Sequence, residues 1–356
     1  MQATYIPVKK KKYRFLIGLG IFFAVLLIAI AGGLFYLWGY LERYEANTPN
    51  AALQRYVDLL KAGDYETIYA TSGFEETRFA GKEEYINYIK TLYKGKLDNA
   101  SFIKKASKTP DTQLYDLYLD KKRAGSLEVV PSAVGSAHRW AARAPLNYFG
   151  SVTIDAPSHV KVLVNGKELT GSEIISRDRA VEYYKGVHQQ ELAPKQMRYE
   201  VKGLLLPPTV TAQKNSGEPC MVAETSKTNY YVLAPVNTAK QKQHQELLEK
   251  AAKTYAAFIT QDASFSELWQ YLNVQTEFYN AIKDFYNGWY IPHDSYECRN
   301  IKISELTEFS ENDFTGNISF DYVIKKGTQE YVYPSSYQLS FIKLEEQWKL
   351  VNIVTL

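Results

Sequence analysis

Apolar and polar positions divide the chain into one unbroken apolar run followed by stretches in which apolar residues recur at helix or strand spacing. The run is Phe15–Leu41, 27 residues without a charge. A helix rises about 1.5 Å per residue and roughly 20 apolar residues cross the hydrocarbon core, so this stretch spans a bilayer with room to tilt. Lys9, Lys10, Lys11, Lys12 and Arg14 precede it, and Glu42, Arg43 and Glu45 follow. The bias of basic residues toward the cytoplasm predicts a tail 1–14 inside, a transmembrane helix 15–41, and everything after it outside. Tyr36, Trp38 and Tyr40 stand where an outer aromatic belt lies. Ala29-Ile30-Ala31 resembles a signal cleavage site, but the apolar run continues ten residues past it, which favours an uncleaved anchor.

Beyond the anchor, Thr48-Pro49 reads as an N-cap and first-turn proline, and Leu53, Tyr56, Val57 and Leu60 share one helix face. Gly63-Asp64 stops that helix; Tyr65–Thr71 reads as a second, and Tyr85, Ile86, Ile89, Leu92 and Tyr93 as a third. Strand-like pieces follow at Ala100–Lys105, Gln113–Asp120 and Ser126–Val130, although Leu114–Leu119 does not alternate cleanly. Pro131–Arg143, rich in Ala and Ser and basic, reads as a linker or connecting helix. From Asn147 to Val236 the pattern is alternating. Val160, Val162 and Val164 end at Asn165-Gly166, a strong hairpin signal, and a helical or irregular insert is expected near Arg179–Gln190. Thr238–Gln261 reads as a long helix, with shorter helical turns after it. Ile318, Phe320, Tyr322 and Ile324 then alternate strictly in a strand.

The two flanking parts share a plan of helix, aromatic-rich helix and antiparallel strands, so the expected fold is α+β. The expected domains are a membrane-proximal α+β cone at 47–145, a small all-β module at 146–236 and a second such cone at 238–356.

Charge refines this picture only slightly. The whole chain is +3, but the basic residues before the run carry that excess; residues 47–145 are +3, 146–240 are +2 and 241–356 are −6. No concentrated basic face suggests nucleic acid. The 29 tyrosines suit half-buried strands and aromatic-lined hollows. The two cysteines, Cys220 and Cys298, do not have metal-site spacing; they form either a disulfide or two separate thiols.

Catalytic patterns are weak, and an enzyme is not expected. Ser101-Phe102-Ile103-Lys104 and Ser340-Phe341-Ile342-Lys343 match Ser-x-x-Lys, but both sit in strand-like sequence, where residues three apart face opposite sides. His138, His159, His188, His244 and His293 show no zinc-protease spacing. No cofactor or metal is expected. The best ligand candidate is an aromatic set in the last domain, Trp269, Phe285, Trp289, Tyr322, Tyr337 and Phe341, which lines either the mouth of a cone or simply its core.

Val152-Thr153-Ile154-Asp155-Ala156-Pro157, Val160–Leu169 with its Val-Asn-Gly-Lys turn, and Tyr199–Leu204 followed by Pro207-Pro208-Thr209-Val210 together resemble the TcaA-like membrane proteins of Gram-positive bacteria, associated with teicoplanin resistance. The flanking parts look like that family's NTF2-like domains. A departure is the lack of cysteine in residues 1–14, where many such proteins look to carry a zinc ribbon. The resemblance implies a single-pass cell-membrane protein with extracellular domains, serving the envelope in cell-wall stress or antibiotic tolerance. It would bind a cell-wall polymer or an envelope protein rather than catalyse. The rival expectation is a component of a conjugative secretion machine, since those also pair one anchor with NTF2-like domains.

Overall fold

In a computed structural model of the chain, residues 12–94, 97, 99–107, 109, 111–132, 136–285 and 292–356 are described. The apolar run lies within one continuous helix, α1 (Lys12–Ala46). Its most apolar stretch is not covered by any other part of the protein, and side chains such as Phe15, Ile28 and Phe35 are wholly outward. By length and composition it is the one helix among the described residues able to cross a membrane. The rest is mixed α+β with large antiparallel sheets, and falls into two compact units: residues 1–76 with 80–147, and residues 77–79 with 148–356.

The first unit places α2 (Pro49–Ala62), α3 (Tyr65–Thr71) and α4 (Lys82–Leu92) with an antiparallel sheet in the order β1 (Ser101–Lys105), β2 (Gln113–Leu119), β3 (Lys122–Pro131) and β4 (Trp140–Arg143). The Thr48 hydroxyl accepts from the Ala51 amide at 3.2 Å, Pro49 occupies the first turn, and Gly63 closes α2 at φ 69°. Leu53, Tyr56, Val57 and Leu60 are all buried, as their spacing predicts. Strand β2 fails to alternate for a physical reason. Asp116 is buried between apolar neighbours because Arg123 (3.0 Å), Lys105 (3.1 Å) and Ser126 (3.0 Å) satisfy it. The Arg123 guanidinium holds its carboxyl down to about 2.

The stretch expected as a linker holds structure instead. Pro131 ends β3, and β4 pairs back on it with Pro131 opposite Trp140 and Glu128 opposite Arg143. Local composition there is poor in β-branched residues, and tertiary pairing overrides it.

The second unit contains one branched sheet of twelve strands. Its first part holds β5 (Gly150–Pro157), β6 (Val160–Val164), β7 (Lys167–Glu168), β8 (Ile174–Ala180), β9 (Lys195–Leu204), β10 (Val210–Lys214), β11 (Pro219–Ser226) and β12 (Asn229–Pro235). The Asn165-Gly166 turn has φ of 50° and 74°, which fits the type I′ hairpin the dipeptide predicts. The Asn165 side chain donates to the Phe79 carbonyl (3.1 Å) and accepts from the Thr209 amide (3.0 Å), fixing residues 77–79 into this unit. There the Phe79 ring joins a core with Val152, Val164 and Val201. Arg78 donates to Glu173 (2.7 Å), Thr170 (3.0 Å) and the Glu168 carbonyl (2.6 Å). Burial pushes the Glu173 carboxyl up, but hydrogen bonds from Ser172 and Thr170, with Arg78 nearby, hold it below its ordinary value.

The last part of the unit packs α5 (Thr238–Ile259), α6 (Phe265–Trp269) and α7 (Glu277–Lys283) on one face of β13 (Ser295–Glu308), β14 (Asp313–Lys326), β15 (Gln329–Leu344) and β16 (Gln347–Thr355). The opposite face buries Phe309, Ile342 and Val351 under residues 181–193, the irregular insert between β8 and β9. Tyr184 of that insert is fully buried, its hydroxyl 3.0 Å from the Thr315 hydroxyl. Backbone pairing of Ala234 with Glu308 and Pro235 with Thr307 carries the sheet from β12 into β13, and Lys214 meets Glu308 at 2.9 Å beside that joint. The residues expected as an all-β module and as a separate cone thus share one sheet. Cys220 on β11 and Cys298 on β13 are free thiols, both pushed up by burial.

Gly316 on β14 lies against Leu248 of α5 and Leu306 of β13. A Cβ there would stand 2.6 Å from Leu306 Cδ1 and 2.9 Å from Leu248 Cδ2, and Leu248 is fully buried. We expect Gly316→Val to cost about 1–3 kcal/mol through overpacking, read as a lowered urea midpoint with an unchanged m-value.

Two buried groups give opposite pH slopes. His244, 1% exposed, stacks flat on Phe314 at 4.1 Å; burial, then Lys240, pushes it from 6.5 to about 4. The native state then binds fewer protons than the unfolded one between pH 4 and 6.5, so this stability is lost as pH falls through that window. Burial raises Asp313 from 3.8 to about 7, so its contribution is lost as pH rises from 3.8 to 7. His244→Leu removes only the first slope. Relative to wild type, the variant should gain up to about 3 kcal/mol on going from pH 6.5 to 4, measured by urea unfolding across that range.

Candidate functional site

A hollow of the first unit lies between α2, α3 and the end of the β3–β4 ladder, with a volume of about 920 Å³, the size of a small-ligand site. It exists because the facing positions are small: Ala52 and Ala62 on α2, Ala70 on α3, Gly73 after it, and Ala141 and Ala142 on β4. Larger apolar groups, Tyr56, Leu59, Val130 and Trp140, form the rest of the wall. Gly73 has φ 66°, a left-handed turn that glycine adopts without strain, and it brings the chain against Arg143 Nη1.

Polar groups enter the cleft at few points. Arg55 is tied on both nitrogens, to the Ala46 carbonyl (2.7 Å) and the Trp140 carbonyl (3.0 Å), so it braces α1, α2 and β4 together. Burial lowers its pKa. Arg143 donates to Glu128 from Nε at 3.1 Å. Asp58 accepts from Gln54 at 2.9 Å. The result is an apolar trough with cationic groups at its sides. Chemically it is suited to holding a ligand with an apolar body, and no nucleophile–base pair is described in it.

A second hollow, about 690 Å³, lies at the end of α1 and shares Pro131, Ser132, Ser136, Ala137 and His138 with the first. Tyr40, Arg43 and Tyr44 come from α1 and Arg139 from the chain before β4. Asn47 bridges the two sides: its amide donates to the Arg43 carbonyl (2.8 Å), and its Oδ1 accepts from the Arg139 amide (2.7 Å). The sequence signal for both hollows was present in the basic Ala/Ser-rich stretch containing Trp140, which its composition disguises as a linker.

The aromatic set of the second unit is distributed rather than gathered. Phe341 is fully buried and stacks on Phe314 with centroids 4.6 Å apart. Tyr322 is buried, and Tyr337 meets Tyr255 edge-on at 5.4 Å within the same core. Trp269 and Phe285 are largely outward, at 51% and 43% exposure. Trp289 lies outside the described residues.

What the spacing did not reveal is a polar knot at this end of the core. Asp262 accepts from Tyr322 (2.7 Å), His293 Nε2 (2.8 Å) and Thr260 (2.5 Å), with the Tyr322 and Thr260 hydroxyls 2.8 Å apart. Asp262 follows Gln261, whose φ of 66° turns the chain at the end of α5, and no periodicity marks such a position. Burial raises the Tyr322 hydroxyl far above its ordinary value. The His293 and Asp262 side chains are 3% and 15% exposed, so the knot is a clasp across residues 262, 293 and 322. Asp262→Ala should destabilise by about 1–3 kcal/mol by removing the acceptor that Tyr322, Thr260 and His293 share. Tyr322→Phe should cost less than half as much; urea unfolding of both variants checks the order.

Among the described residues, no group of three or more His, Cys, Asp and Glu converges as a metal site. No family model matches the chain, and no curated protein matches it. A solved structure described as "Ntf2 like protein involved in plasmid conjugation" aligns over 72% of this chain and 76% of its own, with 8% identity and a TM-score of 0.23, a likeness too slight to carry an argument.

Proposed function

We propose that the protein is a membrane-tethered binding protein whose ligand occupies the cleft between α2, α3 and β4. The observation that carries this is the junction of α1 and α2. The membrane-length helix ends at Ala46 and α2 starts at Pro49, so the cleft is held beside the anchor by two residues and by the Arg55 brace. A ligand site mounted in this way samples only the layer next to the bilayer. Its apolar wall with few polar points matches the general character of small-ligand sites.

The finer reading follows from the sequence. Basic residues before α1 favour a cytoplasmic N-terminus with both units outside the cell. We read the two helix-and-sheet parts as NTF2-like and the chain as TcaA-like, serving the envelope by binding a wall polymer or envelope protein rather than by catalysis. A part in a conjugative secretion machine is the rival reading, resting on the same pairing of anchor and α+β domains.

Two measurements test this. With Cys220 and Cys298 replaced by Ser, a cysteine in place of exposed Thr225 should react with a membrane-impermeant maleimide on intact cells, and one in place of Gln2 only after lysis. The reverse pattern defeats the topology. A photoreactive p-benzoyl-phenylalanine in place of Leu59 should give a discrete adduct in living cells that the same group at Thr225 does not; identical products at both sites defeat the cleft.

A further inference from the structure

We propose that the hollow at the end of α1 binds the phosphate headgroup of an anionic membrane lipid, and that the acyl chain of this lipid lies in the adjoining cleft. The inference rests on the reading of α1 as a bilayer span and names the ligand class of the cleft. Depth comes first. An apolar helix of 27 residues is about 40 Å long, against a hydrocarbon core of about 30 Å. Its end at Tyr40–Tyr44 therefore stands at the level of lipid phosphates, whichever leaflet it faces. Tyr is favoured at that level because its ring is apolar and its tip wet.

Charge comes second. Among the described residues the hollow is lined by Arg43, His138 and Arg139 and by no carboxylate. Arginine meets phosphate with paired, charge-assisted donors, and cations beside a membrane surface favour anionic lipids. The site is also built. Asn47 holds the Arg43 carbonyl and the Arg139 amide, and the Arg139 carbonyl accepts from the Ser132 amide at 2.9 Å. Both arginines are thus fixed at the backbone and line the hollow.

Continuity comes third. Pro131, Ser132, Ser136, Ala137 and His138 form a wall common to both hollows. The Arg139 guanidinium lies 5.7 Å over the Trp140 ring, and Trp140 also lines the cleft. A phosphate at the arginines therefore leaves its chain beside the apolar trough. A soluble anion would use the arginines and leave the trough empty.

The test uses the full chain in nanodiscs of phosphatidylcholine and phosphatidylglycerol in equal amounts, with lipids that stay bound after release read by native mass spectrometry. Wild type should retain phosphatidylglycerol about tenfold over phosphatidylcholine. Arg43→Gln with Arg139→Gln should bring the two to parity, and Ala70→Trp, which narrows the cleft without touching either arginine, should lower retention of both. Parity in wild type, or a preference that survives the double replacement, overturns the proposal. Retention of added glycerol phosphate with no lipid bound overturns it too, by assigning the site to a soluble anion. Failure of the chain to enter discs defeats the anchor reading along with this one, whereas normal entry with parity defeats this one alone.

Discussion

A sheet that is apolar on both faces cannot leave either face in water, and β14 and β15 are such a sheet. Phe314, Ile318, Phe320 and Phe341 point to the helices, while Ile342 and the buried Thr315 and Ser340 point the other way. The helices α5 to α7 cover the first face. The second is covered by residues 181–193, which belong in sequence to the preceding β-rich stretch. That one demand joins what periodicity reads as two domains. The β12–β13 ladder and the Lys214–Glu308 pair then complete a joint made first by apolar burial. Tyr184 shows the polar side of the arrangement: a fully buried phenol is tolerated because Thr315 and Ser340 form a hydroxyl chain with it.

The first unit follows another logic. Its helices and short sheet leave a trough because alanine and glycine occupy the facing positions, so space is encoded by small residues rather than by conspicuous ones. Arg55 keeps this trough in register with the end of α1, turning both terminal nitrogens to backbone carbonyls rather than to an acid. An arginine used as a brace needs no carboxylate partner in the cleft wall, and the apolar character there is preserved.

Much of the architecture is legible from spacing. The run Phe15–Leu41, the Thr48-Pro49 start, the α2 face and the Asn165-Gly166 hairpin each follow from local chemistry that tertiary packing reinforces. The failures share a cause. Trp140–Arg143 becomes a strand because β3 offers it partners, the 181–193 insert docks on a distant sheet, and Asp262 meets His293 and Tyr322 across 31 and 60 residues. None of these contacts leaves a periodic trace. The aromatic residues singled out in the last domain were visible because they are large, and most of the described ones are spent on core packing, as Phe341 and Tyr322 are. The cleft was inconspicuous because its makers are small.

The discontinuity of the second unit bears on how the protein is made. Arg78 leaves the ribosome 90 residues before Glu168 and 95 before Glu173, so the tripeptide 77–79 waits through the synthesis of residues 80–147, the remainder of the first unit, before its partners exist. Closing so long a loop is an entropic cost met only late in translation. A messenger cut short anywhere between codons 80 and 165 would yield a nascent chain with the Phe79 ring homeless in water, a natural foothold for quality-control machinery.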